Sequence, residues 1–372
     1  MSRKRRLGDE ERRAWLRLAR SETIGPTTFA ALIGRFGDAR EALAQAPRLA
    51  RRGGADTLRT PSDADAAREL HELTKFGGRV IASIEPDFPP GLAALDPPPP
   101  IISVIGDVAL LQHDMVAVVG ARNASALGIK FASRLAGDLG QAGLVVASGL
   151  ARGIDSAAHN GALGSGTVAV VAGGLDVVYP PENEALHAAI AAKGAIIAEM
   201  PLHMSPLPRH FPRRNRLISG LSRGVVVVEA AERSGSLITA NYALEQGREV
   251  FAVPGSPLDP RSRGANRLIR DGATLTETVD DVLGVLGPIL NRAFREQPEP
   301  DVEQPAMDLP ISDSEVDRIR GLVGEKLGPA AVEVDELIRQ CSAPAASVVM
   351  VLLELELAGQ IQRQPGNRVA WR

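Results

Sequence analysis

Cysteine is nearly absent from this sequence of 372 residues, in which Cys341 is the only one. A single cysteine cannot form a disulfide within the chain or a cysteine-based metal cluster, and the six histidines form no recognisable set of metal ligands. The first residues carry no apolar signal segment, and no apolar run reaches the roughly 20 residues that cross a membrane. We therefore expect a cytoplasmic protein with no metal site and no membrane segment.

Other absences narrow the function classes. No G-x-x-x-x-G-K-[ST] segment occurs, which argues against a P-loop ATPase. The net charge is -3, so the chain lacks the overall positive charge typical of nucleic-acid-binding domains. Only 3% of the residues are aromatic, so any stacking of bases depends on few side chains. Any nucleic-acid surface must therefore be a local patch.

What the chain does contain is a central segment in which short apolar strands alternate with stretches of helical pattern. The strands are rich in Val, Ile and Ala and are apolar throughout, as in strands covered on both faces. They are "MVAVVG" (115–120), "LVVASGL" (144–150), "TVAVVAGG" (167–174), "AIIAEM" (195–200), "GVVVVEA" (224–230) and "EVFAVPG" (249–255). The alternation predicts an α/β domain over 77–290 with a doubly wound parallel, Rossmann-like sheet. Residues 77–107 add two short strands and a proline-rich crossing.

The two flanks have helical patterns. Residues 1–76 predict a small helical domain, whose turn "TIGPTTFAALIGRFG" is either a helix-hairpin-helix that offers amides to a DNA phosphate or a simple packing turn. An acidic, proline-rich linker follows the sheet at 291–311. Residues 312–372 show the order of a winged helix. Its helix "PAASVVMVLLELELAG" contains glutamates but no arginine or lysine, which favours a protein contact over reading a DNA groove.

Small residues and an arginine mark the carboxyl ends of the strands, where open parallel sheets bind ligands. "VVGARNASALG" resembles a dinucleotide fingerprint, but Arg122 stands where a second glycine would admit a pyrophosphate, and its planar fork suits phosphate oxygens. Asp155, near the second end, is predicted to cap a helix or to form an acid–base pair with His159. The third end, "GGLDVVYPPEN", is either a structural turn or part of the site. "ERSGSLITA" begins a helix with free amides and hydroxyls, as anion sites do.

A run of arginines supports a phosphate site at the same edge. The segment 201–223 contains five arginines and no acidic residue. It lies beside the glycine- and serine-rich turns, so we interpret it as a phosphate-binding segment and not as a solvated charged face. Phe211 lies inside the run and is the aromatic residue that we expect to stack on a base.

Six segments in order resemble one family. "GARNASALG", "SGLARGIDSAAHNGAL", "GGLDVVYPPEN", "FPRRNRLISGLSRGVVVVEA", "RSGSLITA" and "EVFAVPG" together resemble the DNA-processing family DprA, also called Smf, over about residues 80–285. The flanks resemble its longer members, which have an N-terminal SAM-like helical domain and a C-terminal winged helix. The resemblance implies a homodimer that catalyses no reaction, uses no cofactor, binds and protects single-stranded DNA and helps to load RecA during natural transformation.

The resemblance also implies site residues. The predicted DNA phosphate-binding residues are Gly120, Arg122, Ser148, Gly149, Arg209, Arg213, Asn215, Arg216, Ser234, Gly235 and Ser236. Some members have a lysine near the pocket, whereas this chain has none between Lys193 and Lys326, so arginines such as Arg209 would take its place.

Two other functions stay open at this point. The central segment is also similar to nucleotide-cleaving phosphoribohydrolases with P-G-G-x-G-T-x-x-E, but Thr239 falls where the glutamate should be. The other function is that of a regulator that binds duplex DNA through the winged helix. The helix "PAASVVMVLLELELAG" has no arginine or lysine, so we expect weak duplex binding if any. We expect salt-sensitive binding of single strands with little sequence preference.

Overall fold

The structure is a computed structural model that describes residues 4–290, 292, 313–364 and 366–372. The contacts divide the chain into two compact units. The sheet unit comprises the described part of Glu69–Gln297 and a short segment that ends at Arg6. The terminal unit comprises Leu7–Arg68 and the described part of Pro298–Arg372, so that segments from both flanks fold together. Apart from residue 292, the predicted linker lies outside the described residues.

The elements of the described residues are numbered in chain order. The helices are α1 (Asp9–Arg20), α2 (Pro26–Phe36), α3 (Ala39–Arg52), α4 (Asp63–Lys75), α5 (Pro90–Ala93), α6 (Ala126–Gln141), α7 (Ile154–Ala162), α8 (Glu184–Lys193), α9 (His210–Leu221), α10 (Gly235–Glu245), α11 (Arg263–Arg270), α12 (Val279–Leu286), α13 (Asp313–Lys326), α14 (Val334–Cys341) and α15 (Ala345–Leu357). The strands are β1 (Gly78–Ala82), β2 (Ile101–Gly106), β3 (Met115–Gly120), β4 (Val145–Ser148), β5 (Thr167–Val171), β6 (Ala195–Ala198), β7 (Gly224–Val228), β8 (Glu249–Ala252), β9 (Thr274–Leu275), β10 (Val332–Glu333), β11 (Ile361–Gln364) and β12 (Arg368–Trp371).

The sheet unit is built on a nine-stranded sheet in the order β1-β2-β6-β5-β4-β3-β7-β8-β9. The six strands predicted from the sequence are β3 to β8, and they pair in parallel. β1 and β2 join one edge antiparallel to their neighbours, as an addition to the doubly wound core. The predicted fold class is therefore confirmed.

Both faces of the sheet are covered, which explains why its strands are apolar throughout. Val116 and Val118 of β3 pack with α6, α7 and α12, whereas Ala117 and Val119 pack with α9 and α10. All four side chains are buried. The strands after β3 lie on one side of it up to β6, and β7 then pairs with its other side, so β3 lies at the switch point where such sheets open a crevice.

The terminal unit contains the predicted winged helix. α13, α14 and α15 surround an apolar core with the three-stranded sheet β10-β12-β11. α15 also packs closely on the end of α3. Gly53, which follows α3, permits this approach, since a methyl group there would lie only 2.0 Å from the Glu354 carbonyl oxygen. The hydroxyl of Thr23 donates to the Leu357 carbonyl at 3.0 Å. α15 is the helix that the sequence predicts to contact a protein, and here it contacts other segments of its own chain.

The predicted boundary at residue 76 falls just after α4, whereas the contacts divide the chain within that helix, between Arg68 and Glu69. Among the described residues, no single helix is long and apolar enough to span a membrane. Only α14 and α15 taken together, with a bend of 118° between them, reach that length and composition, and α15 is largely buried in the protein. Within the same residues, no group of three or more His, Cys, Asp or Glu side chains is arranged to hold a metal ion.

Candidate nucleic-acid interface

A pocket opens in the sheet unit beyond the carboxyl ends of β3, β4 and β5. Its volume is about 480 Å³ when the open mouth is included. The lining contains three arginines, two aromatic rings and no carboxylate. It consists of Arg122, Gly149, Ala151, Arg152, Val171, Ala172, Gly173, Val177, Tyr179, Pro180, Pro206, Phe211 and Arg214.

Arg122 is one of two exposed arginines in the pocket lining, and the other, Arg152, lies 3.6 Å from the Glu182 carboxylate. Arg122 follows β3 directly and its residue is exposed. Its guanidinium carbon lies 5.4 Å from the centroid of the Phe211 ring, a cation–π distance. Within the described part of the chain, no carboxylate pairs with its guanidinium. Its five N–H donors therefore remain available to an anion in the pocket.

Arg214 lines the same pocket but has a different role. Its residue is 6% exposed, and Nη1 donates to the carbonyl oxygens of Gly149 and Val170, the latter at 2.9 Å. Burial lowers the pKa of Arg214 to about 10, so the side chain stays charged near neutral pH. These bonds tie α9 to the ends of β4 and β5, and Arg214 is a structural cation beneath the pocket.

Asp155 and His159 both have structural partners. The Asp155 carboxylate accepts from the backbone amides of Gly149 at 3.2 Å and Ala151 at 3.3 Å. Burial raises the pKa of Asp155, while the nearby Arg214 charge opposes this shift. His159 Nδ1 lies 2.7 Å from the Thr167 hydroxyl, and burial lowers the His159 pKa to about 3. Neither role predicted for Asp155 is found: it lies inside α7, whose N-cap Gly153 has no side-chain cap, and its carboxylate binds amides of the preceding loop and not His159.

The crevice at the switch point is filled by a carboxylate of the chain itself. Glu229, which follows β7 and has a φ of 52°, accepts from the Ser125 backbone amide at 2.8 Å and from the Ser125 hydroxyl. Ser125 caps α6, the helix whose amino end would hold a pyrophosphate in a dinucleotide-binding fold. The Glu229 carboxylate already occupies that position, so the helix end at Ser125 is closed to a pyrophosphate.

Arginines and a helix end extend the cationic surface beyond the pocket. Arg209 and Arg213, at the start of α9, are exposed. The amino end of α10 lies next to α9, and the two are joined by a hydrogen bond of 3.3 Å from Asn215 Nδ2 to the Gly235 carbonyl. The Ser234 hydroxyl accepts from the Ser236 amide at 3.3 Å and caps this end.

The sequence matches three domain families over most of its length. The family described as DNA recombination-mediator protein A matches residues 79–287, a DprA-like N-terminal HHH domain matches 9–71, and a DprA winged helix domain matches 303–367. The chain belongs to the DprA/Smf family. Protein Smf of Escherichia coli strain K12 is 40% identical over 293 residues, which cover 77% of this chain and 75% of that protein.

Relatives with known structures share the fold. DprA of Streptococcus pneumoniae superimposes with a TM-score of 0.64 at 33% identity, covering 75% of this chain and 98% of that one. DprA of Helicobacter pylori, whose structure is described for its single-stranded DNA binding mode, gives a TM-score of 0.52 at 28% identity and covers 57% and 96%. The predicted family membership is therefore confirmed.

The structure brings only some of the predicted DprA site residues to the pocket. Arg122, Gly149 and Phe211 line it. Arg209, Arg213, Ser234, Gly235 and Ser236 lie at the starts of α9 and α10. Asn215 is buried midway along α9 and donates to the Gly235 carbonyl.

The remaining predicted site residues have partners inside the protein. Ser148 is fully buried, and its hydroxyl donates to the Val118 carbonyl at 2.6 Å. Arg216 donates to the Pro97 carbonyl at 3.0 Å and lies 3.8 Å from the Glu199 carboxylate. An added methyl group at Gly120 would meet the Val228 carbonyl at 1.8 Å, so this glycine permits close strand packing.

Three charged or aromatic residues of the pocket lining were missed, namely Arg152, Tyr179 and the buried Arg214. Arg152 follows the second strand end, and Tyr179 lies in the turn that was left open between structure and function. Tyr179 could have been found from the sequence. It is one of only two tyrosines in the chain, and it lies in a turn at the end of a strand, where ligands bind in such sheets.

Proposed function

We propose that this protein binds single-stranded DNA through the carboxyl edge of its sheet and acts as a recombination mediator without catalysing a reaction. One observation carries the proposal: the exposed Arg122 guanidinium lies at a pocket that contains two aromatic rings and no carboxylate. Guanidinium groups hold phosphates, and aromatic rings accept bases of any sequence. The similarity to Helicobacter pylori DprA supports the same ligand.

Arg209 and Arg213 extend the proposed site along the strand. Both are exposed at the start of α9, and the amino end of α10 beside them supplies further amides. A strand that follows these groups contacts several phosphates and releases their counterions, so affinity falls as salt rises. Recognition through phosphates and ring faces predicts little sequence preference.

A hydrolase is less well supported than a binding protein. Glycoside-type cleavage of a nucleotide needs a carboxylate at the reacting bond. The carboxylates around the pocket already have partners: Asp155 accepts from the Gly149 amide, Glu229 accepts from the Ser125 amide, and Glu182 lies 3.6 Å from Arg152. Thr239, which falls at the position of the glutamate in the hydrolase pattern, is 1% exposed.

We also propose, from the family, that the protein acts in the cytoplasm as a homodimer that helps to load RecA on incoming strands during transformation. Light scattering of the purified chain tests the dimer. Strand exchange by RecA on strands coated with single-strand-binding protein tests the loading. A monomer at micromolar concentration, or no stimulation of exchange, would contradict the respective proposal.

The central experiment compares the binding of fluorescent single-stranded and duplex oligonucleotides at two salt concentrations. The variants are Arg122→Glu and the matched control Arg134→Glu, which reverses an 81% exposed charge on α6 outside the pocket. We expect preference for the single strand, weaker binding in high salt, and loss of binding by about tenfold or more in Arg122→Glu alone. Equal loss in both variants would mean that only net charge matters, and no loss in either would reject the pocket.

A further inference from the structure

The pocket contains two aromatic rings that differ in what already surrounds them. Tyr179 and Phe211 meet edge to face, with ring centroids 5.8 Å apart and an angle of 60° between the planes. Either ring is a chemically suitable surface for a nucleobase. Their surroundings decide which of them has a free face.

The Phe211 ring is already engaged by two guanidinium groups. The guanidinium carbon of Arg122 lies 5.4 Å from its centroid and that of Arg214 lies 5.9 Å away. Arg214 cannot move aside easily, because its buried Nη1 holds the carbonyls of Gly149 and Val170. A base that stacked on Phe211 would have to displace one of these cations. The stacking role expected of Phe211 stays a prediction.

Tyr179, in contrast, is 49% exposed at the pocket wall. The turn that carries it is held from the inside. His187 Nε2 contacts the Leu175 carbonyl at 3.0 Å, and Asn183 Nδ2 donates to the Leu150 carbonyl at 2.9 Å. A ring on a fixed turn loses little conformational freedom when a ligand stacks on it.

We propose that Tyr179 is the surface on which a base of the bound strand stacks, while Arg122 holds the neighbouring phosphate. Phe211 is then a positioning residue, which holds the Arg122 guanidinium in the pocket through their cation–π contact. The ligand is a nucleobase of any identity within single-stranded DNA. The proposal rests on the single-stranded DNA binding proposed above and adds a base contact to it.

The test separates bases from phosphates. The full-length protein is titrated with fluorescent oligo-dT and with an abasic oligomer of the same length, which keeps the phosphates but has no bases. The measured quantity is the ratio of the two dissociation constants. The variants are Tyr179→Ala, Tyr179→Phe, Phe211→Leu and Arg122→Gln, each checked for folding by circular dichroism. Tyr179→Leu replaces Tyr179→Ala if the latter does not fold.

We expect Tyr179→Ala to weaken oligo-dT binding by about tenfold and to leave abasic binding unchanged, so that the ratio approaches one. Tyr179→Phe keeps the ratio, because it retains the ring. Phe211→Leu and Arg122→Gln weaken both strands alike, because they act on the phosphate contact.

Three outcomes would overturn the proposal. One is an equal loss of both strands in Tyr179→Ala, and another is a Tyr179→Phe variant as weak as Tyr179→Ala, which would point to the hydroxyl. The third is a ratio that collapses in Phe211→Leu but not in Tyr179→Ala, which would assign the stacking to Phe211. If the wild-type protein binds neither strand, the proposed function itself fails. If it binds both in an Arg122-dependent way with a ratio of one, only the base contact fails.

Discussion

An exposed arginine at the pocket of the sheet unit differs from the arginines beside α15 in the terminal unit, which pair with carboxylates. In the sheet unit, Arg122 is exposed at a pocket whose lining has no carboxylate. In the terminal unit, Arg52 and Arg320 both contact the carboxylate of Glu354, at 3.2 Å and 2.6 Å, and Glu354 is 0% exposed. Arg363 pairs with Glu356 in the same way at 3.0 Å. The difference lies in where the carboxylates are: none lines the pocket beside Arg122, whereas Glu354 and Glu356 hold the arginines of the terminal unit.

The comparison also explains what α15 does. A winged helix that reads DNA presents this helix to the major groove. Here its glutamates are turned to arginines of α3, α13 and β11, and its apolar residues are buried in the terminal unit. The helix is therefore part of the interior of the terminal unit.

The largest expected effect comes from breaking the ion pairs of α15. Glu354→Ala leaves two guanidinium groups without their buried partner and should destabilise the terminal unit by about 3 kcal/mol or more. Trp15 and Trp371 are the only tryptophans and both lie in this unit, so tryptophan fluorescence during denaturant unfolding reports it selectively. Glu336→Ala, which removes the exposed partner of Arg339 on α14, is the matched control and should cost about 0.5 kcal/mol. Similar losses in both variants would show that burial of Glu354 has no special role.

The next effect is a pH dependence of stability that we expect in the sheet unit and not in the terminal unit. All six histidines lie in the sheet unit. His159 is neutral in the folded state, with a pKa lowered to about 3, and the unfolded chain takes up its proton near pH 6.5. The stability of the sheet unit therefore falls as the pH is lowered from about 6.5 towards 3. The His159 contribution to this loss is about 2 kcal/mol by pH 5.

Circular dichroism unfolding curves at pH 7 and pH 5 test this effect in the wild type and in His159→Asn. The variant should lose less stability between the two pH values. Burial also lowers the pKa of His187 and His210, so part of the dependence remains. An equal pH dependence in both proteins would contradict the role given to His159. So would a larger loss of stability in the terminal unit, as reported by tryptophan fluorescence.

A smaller effect distinguishes two arginines within one helix. Arg213 of α9 is exposed, whereas Arg216 of the same helix holds the Pro97 carbonyl. Arg213→Ala should weaken single-strand binding by about 1 kcal/mol and reduce the salt slope by about 1 without changing stability. Arg216→Ala should cost about 1 kcal/mol of stability and leave the salt slope unchanged. Titrations at four salt concentrations, with thermal unfolding of each variant, measure both quantities, and reversed roles would disprove the distinction.

The smallest expected effect concerns the hairpin between α1 and α2. Thr23→Val removes the hydroxyl that donates to the Leu357 carbonyl and should lower the stability of the terminal unit by about 0.5 kcal/mol. The tryptophan signal measures it, with Thr74→Val, which removes a hydroxyl bonded within α4, as the control in the sheet unit. A DNA affinity that fell while stability stayed constant would instead indicate that this hairpin contacts DNA.

Much of the fold was predictable from local pattern. Six apolar strands between helical segments identified the parallel sheet, because strands covered on both faces must be apolar throughout. The prediction of Arg122 as a pocket residue depended on the same local logic, since it directly follows a strand whose carboxyl end must lie at the ligand-binding edge. Gly149 reaches the pocket for the same reason, whereas Phe211 reaches it from the first turn of α9, within the run of arginines.

The roles of Ser148, Arg214 and Arg216 were not predictable in this way. They depend on carbonyl groups far away in the sequence, such as the Val118 carbonyl for Ser148 and the Pro97 carbonyl for Arg216. A run of arginines indicates where positive charge accumulates, but not which members turn inward to hold the backbone.

The sequence by itself determined the order of the elements, the family and the edge of the sheet at which the pocket opens, because apolar periodicity and strand-end turns are properties of neighbouring residues. Only the tertiary structure decided which charges stay available. Glu229 reaches Ser125 across 104 residues, and Glu354 meets Arg52 of α3. Such pairings arise when distant segments pack, since a charge removed from water must find a partner wherever the fold places one.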